Sequence, residues 1–555
     1  MSKVDLHVHS RYSEQLSEQF LMELGAAESY SEPEFIYRSA KERDMDFVAI
    51  TDHNRIDGAL LLKKRHPHDV IVGVEATAFF PEDNCPVHVL IYGLDETRFA
   101  AIDKLRYNIY KLRDYIKAEG LAYSIAHAAY SRSSKLDADK LEKLILLFDV
   151  FEVINGGIGE KANAGWREIL SGLKAAHMEA LYRKHGIEPF GDRPWIKGFT
   201  GGSDDHGGLY MGKTFTAAAA SCPAEFLEAL RKRATQAGGN SSDFMSMAFT
   251  LAKVACDYAR SKNAASGPSP FKRAMAVLFE NKPLRFRDKL FLRNVRFQSR
   301  RKGDKVRLML ADFLERWAAR PDVDIERKLD ESFDTIAAIS DEYIKSFLTA
   351  GTRNLARGSL AGMFRSAYAA FSGALLALPF LATFGFMHRK RPVIGELSAR
   401  LYGNARVKPE TALWFSDESN IAPVDGITPV NLPMLYSFEI PHSGGMVLKV
   451  PSLLRSLKEI ARISPDSIYI ATSGPVALTG LLCARLLGAR AVGVYSPEYH
   501  RSLRAHISAE SLADFFNKYI KWFYGRMDEI VTPQGPGKPA KTPEDTIVDS
   551  QPILW

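Results

Sequence analysis

Two short clusters of metal-ligand residues, far apart in the chain, are the most informative chemical feature of this sequence. The first is Asp5-Leu6-His7-Val8-His9 and the second is Gly202-Ser203-Asp204-Asp205-His206. Each cluster places two potential ligands at positions i and i+2, which point to the same face of a β-strand. If the two pairs converge on one site, they supply half of a multinuclear metal centre.

The segments that must position these residues alternate between strand-like and helix-like patterns. Seven short, apolar and β-branched runs are typical of strands buried on both faces of a sheet. They are residues 4–9, 46–51, 70–77, 87–92, 121–127, 150–154 and 196–203. Helical patterns such as 34–43, 100–119 and 166–185 lie between most of them. Repeated βα units predict an α/β barrel or a doubly wound sheet.

Single candidate ligands lie between the two pairs, mostly at the carboxyl ends of the predicted strands, where barrels carry their active sites. His88 is an exception because it begins its strand. Zinc, manganese and iron centres take imidazole nitrogens and carboxylate oxygens. A lone histidine is more often structural, so the prediction depends on the joint occurrence of the whole set. The candidates are His7, His9, Glu14, His53, Glu75, His88, His127, Asp204 and His206.

Residues 1 to about 220 resemble the PHP (polymerase and histidinol phosphatase) family. The ordered motifs that carry the resemblance are the DLHVHS opening, Ile50-Thr51-Asp52-His53, Gly73-Val74-Glu75, Val87-His88, Ala126-His127, Glu152-Val153-Ile154-Asn155-Gly156 and the second cluster. Members of that family fold as a distorted seven-stranded β/α barrel and hold up to three divalent metal ions. We therefore expect this α/β fold for residues 1–235, with zinc, manganese or iron as the cofactor.

The resemblance also implies roles for individual residues. Three ligand sets follow from it: His7, His9 and Asp204 for one ion, His88 and His127 for a second that Glu75 bridges to the first, and His53, His206 and Glu14 for a third. The family usually has Asp or His at the place of Glu14. Asp52 and His206 are assigned to catalysis, Asp52 as a group that orients an imidazole.

The reaction class follows from the charge of such a centre. Clustered divalent ions lower the pKa of bound water and neutralise charge that develops on phosphoryl oxygens. The predicted function is therefore metal-dependent phosphoester hydrolysis, by a phosphatase or a phosphodiesterase. The predicted substrate is a phosphorylated small molecule, such as a sugar, a nucleotide or a lipid-linked intermediate of glycan synthesis.

The composition of the whole chain fits two or three globular domains. The formal net charge of +7 is modest for 555 residues and indicates only weak attraction to anionic partners. The four cysteines are scattered without a CxxC pair, which is typical of a reducing cytoplasm. The first residues do not have the apolar run of a secretion signal. We expect a cytoplasmic protein, with membrane association left open.

Residues 243–400 show helical patterns without strand alternation. Their segment 367–387 carries no charge and precedes a basic run, so it is long enough to span a bilayer. A buried helical hairpin or a peripheral membrane contact is the preferred interpretation, because the segment is rich in Ala, Gly and Ser. The basic stretch 285–302 fits a solvated helix face, or a contact with anionic lipid or a phosphorylated partner. Nucleic acid is not expected as a partner, because this stretch lacks a base-stacking platform.

Residues 407–533 return to a βα pattern, which predicts a Rossmann-like domain, and the tail 534–555 is expected to be disordered. Leu413-Trp414-Phe415-Ser416-Asp417 and Thr472-Ser473-Gly474-Pro475-Val476 resemble the N-terminal half of a GT-B glycosyltransferase of the family-4 type. Ser496-Pro497 stands where such transferases usually have His-Thr, and the sequence ends at Trp555 before a donor-binding half. The alternative hypothesis is therefore a glycan-assembly protein of the glycosyltransferase type that is inactive or incomplete as given. A third alternative is a metal-stabilised scaffold at the membrane without catalytic activity.

Overall fold

The structure is a computed structural model of the chain, and it forms two compact units. The first comprises residues 1–268 and 389–407, and the second comprises residues 269–388 and 408–555. The residues that the structure describes are 1–13, 27–128, 130, 135–262, 277–279, 285–302, 304–319, 325–356, 380, 383, 394–403, 411–417, 423, 427–439, 447–496, 499–500 and 510–531. Glu14, the tail 534–555 and all of the segment 367–387 except residues 380 and 383 lie outside this set.

A single mixed sheet forms the centre of the first unit. Its strands are β1 (Ser2–Asp5), β2 (Phe47–Ile50), β3 (Val70–Phe80), β4 (Cys85–Tyr92), β5 (Ala122–Ile125), β6 (Val150–Asn155), β7 (Gly198–Gly202), β8 (Thr214–Ala218) and β9 (Gln236–Gly239). They are ordered β7-β6-β5-β4-β3-β2-β1-β8-β9. The β3–β4, β4–β5, β1–β8 and β8–β9 pairs are antiparallel, and the other four are parallel.

The two ends of this sheet approach each other, so that it forms a nearly closed barrel. Gly201 N in β7 donates to Thr216 Oγ1 in β8 at 2.9 Å, and the same hydroxyl donates back to Gly201 O at 2.9 Å. Thr235, just before β9, donates its hydroxyl to Phe199 O in β7 at 2.8 Å. Side-chain hydroxyls of two threonines thus join the strands where no regular ladder is formed among the described residues.

Helices cover the outside of this sheet. They are α1 (Pro33–Glu42), α2 (Asp57–Arg65), α3 (Glu96–Leu105), α4 (Ile109–Ala118), α5 (Ala138–Leu147), α6 (Glu160–Ser171), α7 (Ala175–His185), α8 (Pro223–Arg231) and α9 (Phe244–Lys262). Asp95, Asn108 and Asp137 cap α3, α4 and α5 by accepting hydrogen bonds from backbone N–H groups of the first turn. The apolar faces pack on the sheet, where Trp166 and Phe151 are fully buried.

Strands lie at all seven runs that the sequence predicts, with ends shifted by a few residues. The expected count of seven is nevertheless incomplete, because β8 and β9 extend the sheet to nine strands. The sequence Gly238-Gly239-Asn240-Ser241-Ser242 predicts a linker, and this prediction is wrong at its start, since Gly238 and Gly239 pair with Phe215 and Thr214. The expected helical region 243–400 is divided between the units, because α9 and the helix Ile394–Tyr402 belong with the barrel.

The second unit combines a helical part with a parallel sheet. Its first helices are α10 (Phe286–Lys302), α11 (Lys305–Ala318) and α12 (Ile325–Ala356), and Ile394–Tyr402 of the first unit is α13. The sheet has the order β11-β10-β14-β15-β16, with every neighbouring pair parallel. These strands are β10 (Ala412–Phe415), β11 (Thr428–Pro429), β14 (Ser467–Ile470), β15 (Arg490–Val494) and β16 (Glu529–Val531).

Three further helices and a hairpin belong to the described part of the second unit. The helices are α14 (Leu453–Ile463), α15 (Pro475–Leu487) and α16 (Glu510–Tyr524), and β12 (Met434–Glu439) pairs antiparallel with β13 (Val447–Pro451). A parallel sheet with helices in its connections is the architecture of a Rossmann-like domain. The resemblance to a glycosyltransferase remains a prediction. None of the helices that the structure describes is both long and apolar enough to cross a membrane.

Candidate metal centre

Glu75 lies at the middle of the candidate metal centre, on β3 near the centre of the sheet. Its carboxylate is fully buried. Oε2 lies 3.1 Å from His7 Nε2, 3.2 Å from His9 Nε2 and 3.2 Å from His53 Nδ1. Three imidazoles that arrive from the ends of β1 and β2 therefore share one carboxylate oxygen.

The other oxygen of Glu75 faces a different pair of imidazoles. Oε1 lies 2.6 Å from His88 Nδ1 and 3.2 Å from His127 Nε2. His88 is on β4, antiparallel to β3, which explains why a residue near the start of its strand reaches the carboxyl ends of the others. One carboxylate thus separates two groups of histidines, as a group that bridges two ions would.

Asp204 closes the centre from the end of β7. Its Oδ1 lies 3.3 Å from His7 Nε2 and 3.2 Å from His9 Nε2, so the two clusters of the sequence meet here. Asp204 has φ +53°, and His127 at the end of β5 has φ +30°. A non-glycine residue with positive φ is uncommon and occurs where the surroundings hold the backbone in place. Both turns direct a candidate ligand side chain into the centre.

His53 and His206 meet a carboxylate that the sequence did not suggest. Glu28 Oε2 lies 3.3 Å from His53 Nε2, and Glu28 Oε1 lies 3.3 Å from His206 Nε2. The ring of His9 stacks on that of His206, with the centroids 4.2 Å apart. Glu28 precedes α1 in a segment without strand or helix periodicity, so nothing in the sequence pattern marks it as a site residue.

Several atoms of this cluster are buried and have no hydrogen-bond partner among the described residues. They are His9 Nε2, both oxygens of Glu28, His53 Nδ1, His88 Nδ1 and His206 Nε2. Each of these imidazole nitrogens lies within ion-pair distance of a carboxylate oxygen, and each of these carboxylate oxygens lies within that distance of an imidazole nitrogen. The directions of these contacts do not form hydrogen bonds. Leaving so many polar atoms buried and unpaired is costly. Imidazole nitrogens and carboxylate oxygens aimed at shared points are the donor set of a divalent metal centre.

The charges of the cluster reinforce this conclusion. Burial opposes the ionisation of both Glu75 and Asp204. Neighbouring positive charge outweighs the burial, chiefly from His53 beside Glu75 and from His7 beside Asp204, and it holds both pKa values well below the usual range. Burial also opposes the protonation of His9, but Asp204 and Glu75 outweigh it and raise its pKa to about 10. The carboxylates therefore require positive charge beside them. Bound cations would supply it in place of protons on the ligands.

His88 behaves differently from His9. Burial outweighs the attraction of Glu75 and lowers the pKa of His88 to about 4, so its imidazole is neutral at physiological pH. A neutral imidazole keeps a lone pair for a metal ion. Hence His88 is prepared to act as a ligand without first losing a proton.

A buried glutamate on β6 holds two of these histidines in place. Glu152 Oε1 lies 3.1 Å from His7 Nδ1, and Oε2 accepts hydrogen bonds from His127 N at 2.9 Å and Asn155 Nδ2 at 2.8 Å. Asn155 Nδ2 also lies 3.3 Å from Asp204 Oδ2. A carboxylate on Nδ1 leaves Nε2 of His7 free to bind an ion, so Glu152 orients the ligands. The sequence motif included Glu152 but suggested no role for it.

Close packing between β1 and β7 brings the two clusters together. A Cβ atom at Gly202 would lie 2.3 Å from the Cβ of His7, so only glycine permits this approach. Asp5 accepts hydrogen bonds from Ser203 N at 2.9 Å and Gly212 N at 2.7 Å. Burial raises the pKa of Asp5 to about 6 against the effect of these hydrogen bonds.

Asp52 lies beside the centre, and its hydrogen bonds go to Ser10. Its Oδ1 accepts from Ser10 N at 2.6 Å and its Oδ2 from Ser10 Oγ at 2.7 Å. The carboxylate therefore secures the turn after His9, and among the described residues no hydrogen bond joins it to an imidazole. The reason is that the chain turns back sharply at Ser10, which places its N–H and hydroxyl against Asp52.

The centre is open on one side. Side chains of His88, His127, Asp204 and His206 are each about one fifth exposed, whereas His7, His9 and Glu75 are not exposed at all. A ligand would therefore approach over the more exposed four. The structure describes eight of the nine candidate metal ligands and brings all eight together. The ninth candidate, Glu14, lies outside the described residues.

A second group of potential ligands lies elsewhere in the first unit. Asp139, Glu142 and His185 have ligand atoms close to one another. Lys184 Nζ lies 2.6 Å from both carboxylates, and Arg400 Nη1 lies 2.9 Å from Asp139 Oδ1. Cations of the protein itself already neutralise these acids, so this group is a salt-bridge network.

In the second unit, a side chain of the protein binds the N-terminus of a helix at the carboxyl ends of the parallel strands. Asp417 accepts hydrogen bonds from Gly474 N at 3.0 Å and Val476 N at 2.8 Å, at the beginning of α15. A Cβ atom at Gly474 would lie 2.5 Å from the Asp417 carboxylate carbon. A helix start of this kind attracts anions, and here Asp417 takes that place.

Comparison with known proteins gives short or distant matches. No family model matches the chain. An uncharacterized protein of Methanocaldococcus jannaschii is 37% identical over 76 residues, which are 13% of this chain. The match spans 43% of the length of that relative.

Two solved structures show a partial likeness. One is an amidohydrolase from Chromobacterium violaceum with bound sulfate and no metal, with 18% identity, TM-score 0.26 and coverage of 41% of this chain and 96% of its own. The other is described as a candidate metal-dependent phosphoesterase from Bifidobacterium adolescentis, with 15% identity, TM-score 0.22 and coverage of 42% and 96%. Likenesses this distant assign no activity and no substrate, so a functional assignment depends on the geometry of the centre.

Proposed function

We propose that the first unit is a metal-dependent phosphoesterase of the PHP type. The observation that carries this proposal is the division of Glu75, whose two oxygens face two separate groups of buried histidines. A carboxylate shared in this way is what a centre with two or more divalent ions requires. The resemblance of the sequence motifs to the PHP family supports the same function.

The residues present fit this group of ions. His7, His9 and Asp204 would hold one ion, His88 and His127 would hold a second, and Glu75 would bridge them. Divalent ions in such a centre supply a hydroxide near neutral pH and stabilise negative charge on a phosphoryl group. Zinc, manganese and iron all accept this mixture of nitrogen and oxygen ligands.

The protein itself contributes orientation and a low-dielectric environment. Glu152 fixes the ring of His7 and the backbone of His127, so the ligand atoms are positioned before an ion binds. Burial of Glu75 and His9 removes competing water from the inner side of the centre. The exposed edges of His88, His127 and His206 leave the outer side open to a phosphate group.

The proposed substrate is a phosphorylated small molecule. The rim of the centre exposes imidazole and carboxylate groups and no wide basic surface among the residues described above, which fits a single phosphate better than a polyanion. We also propose that this substrate belongs to glycan synthesis, and this part of the proposal depends on the resemblance of the second unit to a glycosyltransferase.

The test is hydrolysis of aryl phosphate monoesters and diesters by the purified full-length chain with added Mn²⁺. We expect turnover that EDTA abolishes, and loss of turnover in both His7→Ala and Asp204→Asn. His66→Ala serves as the control, because His66 is a partly exposed histidine that pairs with Glu34 instead. Turnover that survives both replacements in the centre would contradict the proposal.

A further inference from the structure

Glu28 is the acid in this centre whose place the sequence did not indicate. It is only 4% exposed, and neither of its oxygens has a hydrogen-bond partner among the described residues. Each oxygen instead faces the Nε2 atom of a different histidine, His53 or His206, at 3.3 Å. A buried carboxylate without hydrogen bonds requires a compensating positive charge.

If the two imidazoles carried protons, their charge would meet Glu28 only across long contacts that are not aligned as hydrogen bonds. A protonated imidazole would donate a charge-assisted hydrogen bond to a carboxylate at about 2.7–2.9 Å. The distances to Glu28 are longer, and the directions do not form hydrogen bonds. His206 Nδ1 lies 2.8 Å from the carbonyl oxygen of Asp204, to which it donates its proton. With Nδ1 engaged in this way, Nε2 is the ring nitrogen of His206 that faces Glu28.

The segment that carries Glu28 is attached firmly to the end of β1. The hydroxyl of Ser29 donates to His9 O at 3.0 Å, and Arg11 N donates to Ser31 O at 2.8 Å. Ser29 is fully buried. These bonds hold Glu28 beside His9, His53 and His206, and those three histidines have nitrogens close enough to share an ion.

We propose that Glu28 supplies the carboxylate ligand of a third divalent cation, together with His53 and His206. The inference rests on the metal centre of the proposed function, but it assigns a ligand that the family resemblance does not include. That resemblance places the acid at Glu14, fourteen positions earlier in the chain. A buried carboxylate whose two oxygens face the Nε2 atoms of two different imidazoles is a donor set that a divalent cation completes.

The experiment measures the number of metal ions per chain, independently of turnover. The full-length protein is loaded with Mn²⁺, passed through a desalting column and analysed by inductively coupled plasma mass spectrometry. We expect three ions per chain in the unmodified protein, two in Glu28→Gln and three in Glu14→Gln. Gln has nearly the volume of Glu, and equal near-ultraviolet circular dichroism of the variants checks that they fold.

Glu28→Asp is a second variant that retains the carboxylate. We expect it to bind the third ion more weakly than the unmodified protein and to regain the ion at higher Mn²⁺ concentration, which Glu28→Gln does not. Loss of an ion in Glu14→Gln but not in Glu28→Gln would overturn the inference, as would three ions in both variants. Two ions in the unmodified protein would overturn it too, although the proposed function would stand. No bound ion would overturn both.

Discussion

The replacement Glu152→Gln tests how far the protein itself orients the metal ligands. Glu152 is buried and contacts His7 Nδ1 at 3.1 Å and the His127 backbone N–H at 2.9 Å. A carboxylate accepts the Nδ1–H of His7, which leaves Nε2 of that ring as the ligand atom. The amide of Gln would instead present a donor to Nδ1 or turn its oxygen away from the His127 N–H, so one of the two contacts is lost in either orientation.

The expected magnitude follows from this change. Loss of a carboxylate that orients a metal-bound histidine typically lowers metal affinity by about 10–100-fold. That corresponds to about 1.4–2.8 kcal/mol of binding free energy. The metal-free protein should lose only about 1–3 kcal/mol of stability, because one buried hydrogen bond is replaced by an unfavourable contact.

The assay is a competition of the protein with a chelator for Mn²⁺, combined with thermal unfolding of the metal-free form. Glu142→Gln is the matched control, because Glu142 is also a buried glutamate beside a histidine, His185, but outside the centre. We expect Mn²⁺ affinity to fall in Glu152→Gln and to stay within twofold in Glu142→Gln. Equal affinity in both variants would refute the reasoning that Glu152 orients His7.

Three further changes give independent checks. Gly202→Ala would place a Cβ atom 2.3 Å from that of His7, so we expect about 1–3 kcal/mol of lost stability by denaturant unfolding and weaker Mn²⁺ binding. Gly159→Ala is the control for metal binding: a Cβ atom there meets nothing within 4 Å, so Mn²⁺ affinity should be unchanged. Equal Mn²⁺ affinity in both variants would contradict the reasoning about Gly202. Burial lowers the pKa of Lys197 to about 7, so between about pH 7 and 10 the unfolded chain binds more protons at this residue than the folded chain does. Lys197 therefore makes the free energy of unfolding rise with pH by about 1.4 kcal/mol per pH unit. Lys197→Met should remove this contribution in denaturant unfolding measured across the same pH range, and an unchanged slope would contradict the lowered pKa. Helix α10 carries seven basic residues and one acidic residue, and its Phe297 is 68% exposed. We therefore expect the protein to float with vesicles that contain phosphatidylserine, and less of the Phe297→Ser variant to float with them. Equal recovery of the protein with neutral vesicles would rule out an anionic membrane surface as the partner of α10.

The convergence of the central histidines with Asp204 could be predicted from the sequence because strand geometry is regular. Residues i and i+2 on one strand must share a face, and the carboxyl ends of parallel strands must meet at one edge. This reasoning correctly brings His7 and His9 to Asp204. The position of His88 needed the antiparallel direction of β4, which its short apolar run did not reveal.

The features that the sequence did not predict depend on tertiary contacts that leave no local pattern in the sequence. Glu28 lies in an irregular segment that is held beside the centre by hydrogen bonds from Ser29 to His9 O and from Arg11 N to Ser31 O. Strand β9 is formed by Gln236–Gly239, whose two glycines suggest a linker, and its pairing with β8 alone makes it a strand. Asp52 was assigned to catalysis from its place beside His53, whereas the turn at Ser10 decides its contacts.

An anomalous difference map from crystals of the full-length protein grown with Mn²⁺ or Zn²⁺ would show directly whether Glu75 bridges two ions. We expect separate peaks on the two sides of the Glu75 carboxylate, one beside His7 and His9 and one beside His88 and His127. For zinc, each peak should lie about 2.0–2.2 Å from its ligand atoms. A single peak that touches one oxygen of Glu75, or no peak within reach of this carboxylate, would contradict a centre in which Glu75 bridges two ions.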